Sequence, residues 1–328
     1  MTRTAFVTGA NGFVGLNLVR ELLAQEWRVV AMCRRNADTR DLDPLPVERV
    51  VGDVTQLDSL REAMPKSADA VFHVAGNTSL WARSGAEQLK VNVRGTRNVV
   101  RVALEQRARR FVHTSSVVAY GVHGGIVTEQ TPTRGSNSQV TYIRSKAMAE
   151  REVKHGIQRG LPAVIINPGH VIGPYDRYNW SRLFGIVRGR RLPGVPAGGG
   201  SFCHAPNVAK ALVAAAERGE VGANYLLGGA DTSYVGLVQE VSRILGRKPR
   251  VLTLPNRLLH AYASAEEFIA PLFGREPEIT RDTVHLMSCN MYCSSRKAMD
   301  ELGYQPSPLA SMLEHSHRWL LENRLLRG

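Results

Sequence analysis

VTGANGFVG, residues 7–15, decides the fold. It sets Gly9, Gly12 and Gly15 between an apolar run, TAFVTG (4–9), and a helical pattern over 13–25. Such a turn needs glycine where the backbone bends sharply and where it must come close to a pyrophosphate. The helix start beyond it offers free N–H groups and a positive dipole end to phosphates. Three glycines alone are weak evidence; between a strand and a helix they point to a dinucleotide. The alternative is a tight glycine turn with no ligand.

Outward from that turn, the first half alternates short apolar runs with helical stretches. Strands are expected at 28–33, 47–52, 70–76, 110–116 and 162–169, and helices at 56–64, 84–107 and 141–159. Near-continuous apolar runs separated by helices predict an α/β fold with a doubly wound parallel sheet covered on both faces. The second half differs. Residues 177–205 are rich in Arg, Gly and Pro, and RLPGVPAGGGS (191–201) reads as a loop. A helix over 206–219 and a strand over 223–229 return to the sheet, and 234–328 is mainly helical. The expected organisation is a dinucleotide-binding domain over 1–176, to which 206–233 returns. A smaller, mostly helical substrate lobe is expected from 177–205 and 234–328.

A chain of 328 residues with 43% hydrophobic content buries a core without disulfide or metal staples. Cys33, Cys203, Cys289 and Cys293 lack metal-ligand spacing, so reduced thiols and no metal are expected. The start of the chain runs straight into a strand, and no apolar stretch is long enough to span a bilayer. A cytoplasmic location is the expectation. The net charge of +13 raises nucleic-acid binding first. The arginines are scattered, however, and no nucleic-acid module accompanies them, so no nucleic-acid partner is expected. A solvated basic surface, or a field that attracts an anionic cofactor or substrate, remains.

VTYIRSKAMAE (140–150) places Tyr142 and Lys146 one helical turn apart on one face. A free phenol has a pKa of about 10, and a nearby ammonium would pull it down. Ser115 and Ser116 close the fifth expected strand, and ligands bind at strand carboxyl ends in open parallel sheets. Ser, Tyr and Lys together read as proton-transfer chemistry at a carbonyl or alcohol.

The three-and-three glycine spacing, the SS pair and Tyr142/Lys146 have further company in this chain. GDV (52–54), FHVAG (72–76), NVRGT (92–96), NPGHVIGP (167–174) and FCHAPNVAKA (202–211) extend the pattern. Together they resemble the extended short-chain dehydrogenase/reductase family over nearly the whole chain. The dihydroflavonol reductase, 3β-hydroxysteroid dehydrogenase and hopanoid-associated sugar epimerase branches are the most similar. The resemblance implies a Rossmann-like fold and a catalytic set of Ser116, Tyr142 and Lys146. Asn92 would support the active-site helix and a proton relay. Asn11, Phe13 and Val14 would join the three glycines around the diphosphate. Asp53 would accept from the adenine amino group, and Val54 would pack on the ring. Ala75, Gly76, Pro168, Gly169 and Val171 would line the nicotinamide and its ribose, whose hydroxyls Lys146 would hold.

The second expected strand ends in MCRRN, where an NAD site usually has an acid for the ribose 2′-hydroxyl. Arg34 and Arg35, with Arg40 assisting, would suit a 2′-phosphate instead. NADP(H) is therefore preferred, with NAD(H) possible; two ordinary surface arginines are the alternative. Substrate-lining candidates are Thr78, Trp81, Tyr175, Tyr178, Trp180, Phe202 and His204. Their aromatic content suits a flat or long apolar ketone, and each could equally be plain packing. His73 and His113 are expected to be structural, and His315 and His317 to lie on the surface. The leading reading is an NADP(H)-dependent ketone or aldehyde reductase acting on a small molecule. The alternatives are an NAD-dependent sugar-nucleotide epimerase and a non-catalytic NADP(H)-binding redox sensor. A 4,6-dehydratase fits less well, because Ser115–Ser116 follows Thr114 where that branch has an Asp–Glu pair. A homodimer through helices 84–107 and 141–159 is expected.

Overall fold

The computed structural model of the chain describes residues 2–189, 194–248 and 251–326. The first half holds β1 (Thr4–Thr8), α1 (Phe13–Ala24), β2 (Arg28–Cys33), β3 (Glu48–Val51), α2 (Leu57–Ala63) and β4 (Ala70–His73). It continues with α3 (Gly85–Leu89), α4 (Thr96–Glu105), β5 (Phe111–Thr114), α5 (Thr141–Gln158) and β6 (Ala163–Pro168). The second half holds β7 (His170–Ile172), α6 (Arg182–Arg188), β8 (Gly199–His204), α7 (Ala205–Arg218), β9 (Asn224–Leu227) and β10 (Ala230–Ser233). After these come α8 (Tyr234–Ile244), α9 (Asn256–Ile269), α10 (Arg281–Met287), β11 (Asn290–Met291), α11 (Arg296–Leu302) and α12 (Leu309–Glu322).

Seven parallel strands form one sheet in the order β3-β2-β1-β4-β5-β6-β9. Alternate residues feed opposite cores, as the pleat requires. Val7, Phe72 and Val112 join the core with Leu18 of α1 and Leu212 of α7. Phe6, Val71 and Phe111 join the other, with Val99 of α4 and Val153 of α5. The strand order reverses between β1 and β4, and the glycine turn lies at that switch point, where open α/β sheets bind ligands.

A second, four-stranded sheet was not expected from the sequence. β8 is its centre, pairing with β10 antiparallel and with β7 and β11 in parallel. Gly199 and Gly200, inside the stretch expected to be a loop, open β8. A Cβ at Gly200 would stand 2.6 Å from His170 Nε2, so glycine marks close packing there and not a turn. Residues 191–193 of that stretch lie outside the described residues. The chain leaves β6 at Pro168 and enters β7 at His170, with Gly169 alone between the two sheets.

The expected helix over 84–107 is a helical stretch with a six-residue π-helical turn, Lys90–Gly95, between α3 and α4. His315 and His317, expected on the surface, are half-buried on α12 and each has a ring partner in the lobe. His315 Nδ1 lies 3.0 Å from His204 Nε2, and His317 stacks on Phe184.

His73 and His113 pair across β4 and β5 and are 1% and 2% exposed. Burial, with Lys146 nearby, holds His73 down to about 3 and His113 well below its ordinary value. In the unfolded chain both titrate near 6.5, so between those values the unfolded state binds more protons. Stability from this pair is complete above about pH 6.5 and falls as the pH drops. At pH 5 the loss from His73 is about 2 kcal/mol, and His113 adds to it in the same direction. Thermal melting should show a clear fall between pH 7 and pH 5 that shrinks in His113→Leu; equal profiles for the two proteins would contradict it.

Candidate active site

The glycine turn is built for a ligand. Gly9 has φ +70°, and a Cβ there would stand 2.7 Å from Ala75 N. A Cβ at Gly15 would stand 3.0 Å from Ala10 Cα, so packing within the turn fixes both glycines. Gly12 is different: a Cβ there would meet only Gly9 O, at 3.2 Å. Gly12 also caps α1 with no side-chain bond and no acid in the first turn, which leaves an open, positive helix end at Asn11, Phe13 and Val14. Inside the protein only the Gly9 carbonyl crowds position 12, by a few tenths of an ångström, whereas close approach of a phosphate would demand glycine there.

Beyond β3, Asp53 Oδ1 accepts from Thr55 N and Thr55 Oγ1, both at 2.8 Å. Val54 is buried beside Gly95, and its carbonyl accepts from Asn98 Nδ2 at 2.9 Å. Arg34 and Arg35 are exposed after β2 and have no acid partner among the described residues. Arg40, also exposed, pairs with Asp38 at 3.0 Å.

At the carboxyl end of β5, Thr114 and Ser115 are 8% and 4% exposed, and their hydroxyls have no partner. Orphaned buried hydroxyls are rare and mark a place where a ligand completes the bonding. Lys146, 7% exposed, donates Nζ to the Thr114 carbonyl at 3.1 Å. A Cβ at Gly76 would stand 3.6 Å from that ammonium, so Gly76 keeps the approach to it clear. Ala75 borders the glycine turn, and its N–H donates to Thr8 Oγ1 at 3.3 Å. Pro168 supplies a carbonyl to Ser116 Oγ at 3.4 Å, the Gly169 N–H donates to Leu227 O at 2.9 Å, and Val171 is half-buried in β7. The open glycine turn, the orphaned hydroxyls and the bare Gly76 fit a dinucleotide with its nicotinamide end beside Lys146.

Tyr142 is half-buried on the first turn of α5, where it packs against the cluster that holds Val118, Leu226 and Leu286. Burial pushes its phenol up, and the nearby Ser116 side chain opposes that. The expected lowering by Lys146 is absent: its ammonium is directed to Thr114 O and is itself held down to about 8, by burial first, with Glu150 opposing. Ser116 Oγ has two protein partners, Val118 N and Pro168 O, each at 3.4 Å. Bonds that long are weak, which leaves the hydroxyl free to serve a substrate oxygen.

The π-helical turn buries Asn92 and aims its amide at the loop after β4. Oδ1 accepts from Asn77 N at 2.7 Å, while Nδ2 donates to Asn77 O at 2.8 Å and Ser145 Oγ at 2.9 Å. Asn92 therefore ties loop 76–79 to α5. The sequence reading missed the layer beneath. Glu150, 2% exposed, accepts from Asn167 Nδ2 at 2.5 Å and from Asn224 Nδ2 at 3.2 Å. Asn167 also donates to the Ser116 carbonyl at 3.1 Å, so this cluster fixes the serine's backbone. The available signal was Glu150, one helical turn beyond Lys146.

Of the substrate candidates, Thr78 and Trp81 lie on the loop that Asn92 holds. Phe202 and Trp180 pack with His170 and Tyr234, and Phe202 is fully buried. Tyr178 is 77% exposed. Tyr175 lines a separate cavity of about 430 Å³ with Asn17, Arg20, His315 and Trp319, and His204 is taken up by His315.

Comparison with known proteins gives the family. The NAD dependent epimerase/dehydratase family matches residues 5–228. A putative dihydroflavonol 4-reductase of Synechocystis sp. is 34% identical over 325 residues, covering 96% of this chain and 93% of the relative. Sterol demethylase protein B of Methylococcus capsulatus is 30% identical, covering 98% of this chain and 100% of the relative. The crystal structure of gox2253 superposes with a TM-score of 0.85 at 34% identity, covering 98% of this chain and 99% of that one. The chain belongs to the NAD dependent epimerase/dehydratase family, the extended short-chain dehydrogenases/reductases, enzymes that act on CH–OH and C=O groups.

Proposed function

We propose that this enzyme is an NADP(H)-dependent oxidoreductase that reduces a ketone or aldehyde, or oxidises the matching secondary alcohol. The observation that carries this reading is the gathering of Ser116, at the carboxyl end of β5, with Tyr142 and the buried Lys146 one helical turn from it on α5. When bound, the nicotinamide supplies or takes up the hydride. Gly9, Gly12 and Gly15, with Asn11, Phe13 and Val14, hold the diphosphate, and Asp53 and Val54 hold the adenine. Ala75, Gly76, Pro168, Gly169 and Val171 wall the nicotinamide end, and Lys146 binds the ribose hydroxyls. Tyr142 gives its proton to the substrate oxygen, and Ser116 hydrogen-bonds the same atom. Burial keeps the phenol protonated at neutral pH, the form a donor needs. Asn92 acts as a positioning residue through Asn77 and Ser145.

Residues 1–176 and 206–233 carry the cofactor in this reading, and 177–205 with 234–328 face the substrate. Relatives named for a dihydroflavonol and a sterol favour a flat, apolar substrate, with Thr78 and Trp81 at its entrance. The deciding assay is a panel of ketones, aldehydes and sugar nucleotides with NADPH and with NADH. Ketone-dependent NADPH oxidation is expected. Retained NAD with cofactor-free turnover of a sugar nucleotide would establish the epimerase instead. Arg34→Asp should cut the NADPH-over-NADH preference at least about tenfold, since it exchanges a bidentate donor for a repelling charge. An unchanged ratio would remove Arg34 from the site. A homodimer through α4 and α5 is part of the proposal, and sedimentation velocity reads it.

A further inference from the structure

His73 ends β4, just before Ala75 and Gly76, which border the candidate site. Its ring is buried, yet both nitrogens have partners. Nδ1 lies 2.8 Å from Thr8 Oγ1, and Nε2 lies 2.9 Å from Thr96 Oγ1. Neither buried threonine ends the path. Thr8 Oγ1 accepts from the Ala75 N–H at 3.3 Å. Thr96 Oγ1 donates to the Asn92 carbonyl four residues back, at 2.6 Å, inside the π-helical turn that aims the Asn92 amide. His113, its neighbour on β5, is the contrast: it is equally buried, and neither of its ring nitrogens has a partner among the described residues.

The two ends fix the direction of every bond between them. A carbonyl oxygen only accepts, so the single hydroxyl proton of Thr96 goes to Asn92. Thr96 Oγ1 then accepts from His73, and Nε2 carries the imidazole proton. Nδ1 is bare and accepts from the Thr8 hydroxyl, whose oxygen takes the Ala75 N–H. The other tautomer would set a bare nitrogen against the lone pairs of Thr96. Burial, with Lys146 nearby, keeps the ring neutral at pH 7. The path meets the site at two points. Thr8 holds Ala75, and the Asn92 amide grips Asn77 through both its oxygen and its nitrogen. Gly76 lies between the held residues, where a Cβ would stand 3.4 Å from Asn92 Oδ1 and 3.6 Å from Lys146 Nζ.

We propose that His73 is a positioning residue: as the Nε2–H tautomer it joins Ala75 to Asn92, and so holds residues 75–77 against the Lys146 ammonium at the nicotinamide end of the site. The proposal deepens the function given above and rests on it, because that reading places the nicotinamide there. His73 touches neither nucleotide nor substrate in this account; it acts through Thr8 and Thr96.

The test compares each whole dinucleotide with the part of it that lacks nicotinamide. Calorimetric titration of the whole chain measures NADPH beside 2′-phospho-ADP-ribose, and NADH beside ADP-ribose. His73→Leu breaks both ring bonds, and Thr96→Val breaks one while keeping the shape of the side chain. Each should lower affinity for the whole dinucleotide about tenfold, and for the part less than about twofold. A histidine that only fills space would lower both together or neither. His113→Leu, which breaks no hydrogen bond, should leave the ratio of the two affinities within about twofold of wild type. His73→Gln should recover most of the loss, because its amide offers one acceptor and one donor, as the neutral ring does. Nitrogen NMR of the wild-type ring should show a protonated Nε2 and a bare Nδ1. If His73→Leu does not fold, Thr96→Val decides. Equal losses for whole and part, no loss in Thr96→Val, or a proton on Nδ1 would overturn the proposal and leave the proposed function standing. A wild-type chain that binds neither dinucleotide would overturn both.

Discussion

Tyr142→Phe is expected to lower kcat by about a hundred- to ten-thousand-fold, the range for removing a positioned proton donor, while NADPH affinity changes less than about threefold. The ring that packs against the cluster of Val118, Leu226 and Leu286 is retained, so the variant should fold. What disappears is the hydroxyl near Ser116 and the proton that burial keeps on it. Ser116→Ala keeps that proton but loses one hydrogen bond to the substrate oxygen, so its loss should be smaller. Measuring kcat by NADPH absorbance and affinity by fluorescence titration separates the two roles. Turnover of Tyr142→Phe within about threefold of wild type would assign proton transfer to another group.

The second large effect contrasts two glycines of one turn. Gly12→Ala should reduce nucleotide affinity at least about a hundredfold while lowering the melting temperature much less than Gly15→Ala does. Its new methyl meets only Gly9 O, at 3.2 Å, and otherwise fills the space a phosphate would occupy. Gly15→Ala should lose affinity and also about 1–3 kcal/mol of stability, because its methyl is driven into Gly9 and Ala10. Calorimetric titration with NADPH, beside thermal melting, reads both. Full nucleotide affinity in Gly12→Ala would mean the turn is structural only.

The large sheet was legible because each buried parallel strand is a short apolar run, and the helices between carry their own period. Glycines that mark turns read correctly at positions 9–15, where the strand stops. They misled at 199–200, where the same residue type answers to a neighbour's imidazole in the folded state. That contact is non-local, and no window of sequence contains both partners. The candidate site divides in the same way. Tyr142 and Lys146 lie one turn apart, so their nearness follows from helix geometry alone. The direction of the phenol's shift does not follow, because it depends on burial and on the ammonium's carbonyl partner, both set by packing. Glu150, Asn167 and Asn224 come from three different elements, and only the closed sheet joins them.

Gly169 has a consequence for how new substrates could be acquired. Its N–H is bonded to Leu227 in one sheet, while the next residue, His170, is already paired with Phe202 in the other. A Cβ at Gly169 would also meet the Ser201 carbonyl of β8, so the two sheets lie in direct backbone contact at this residue. In the reading proposed above, choice among substrates falls to the segments mounted on this frame, 77–81 and 177–189. Exchanging those segments between relatives should carry selectivity across while the hydride-transfer end stays untouched.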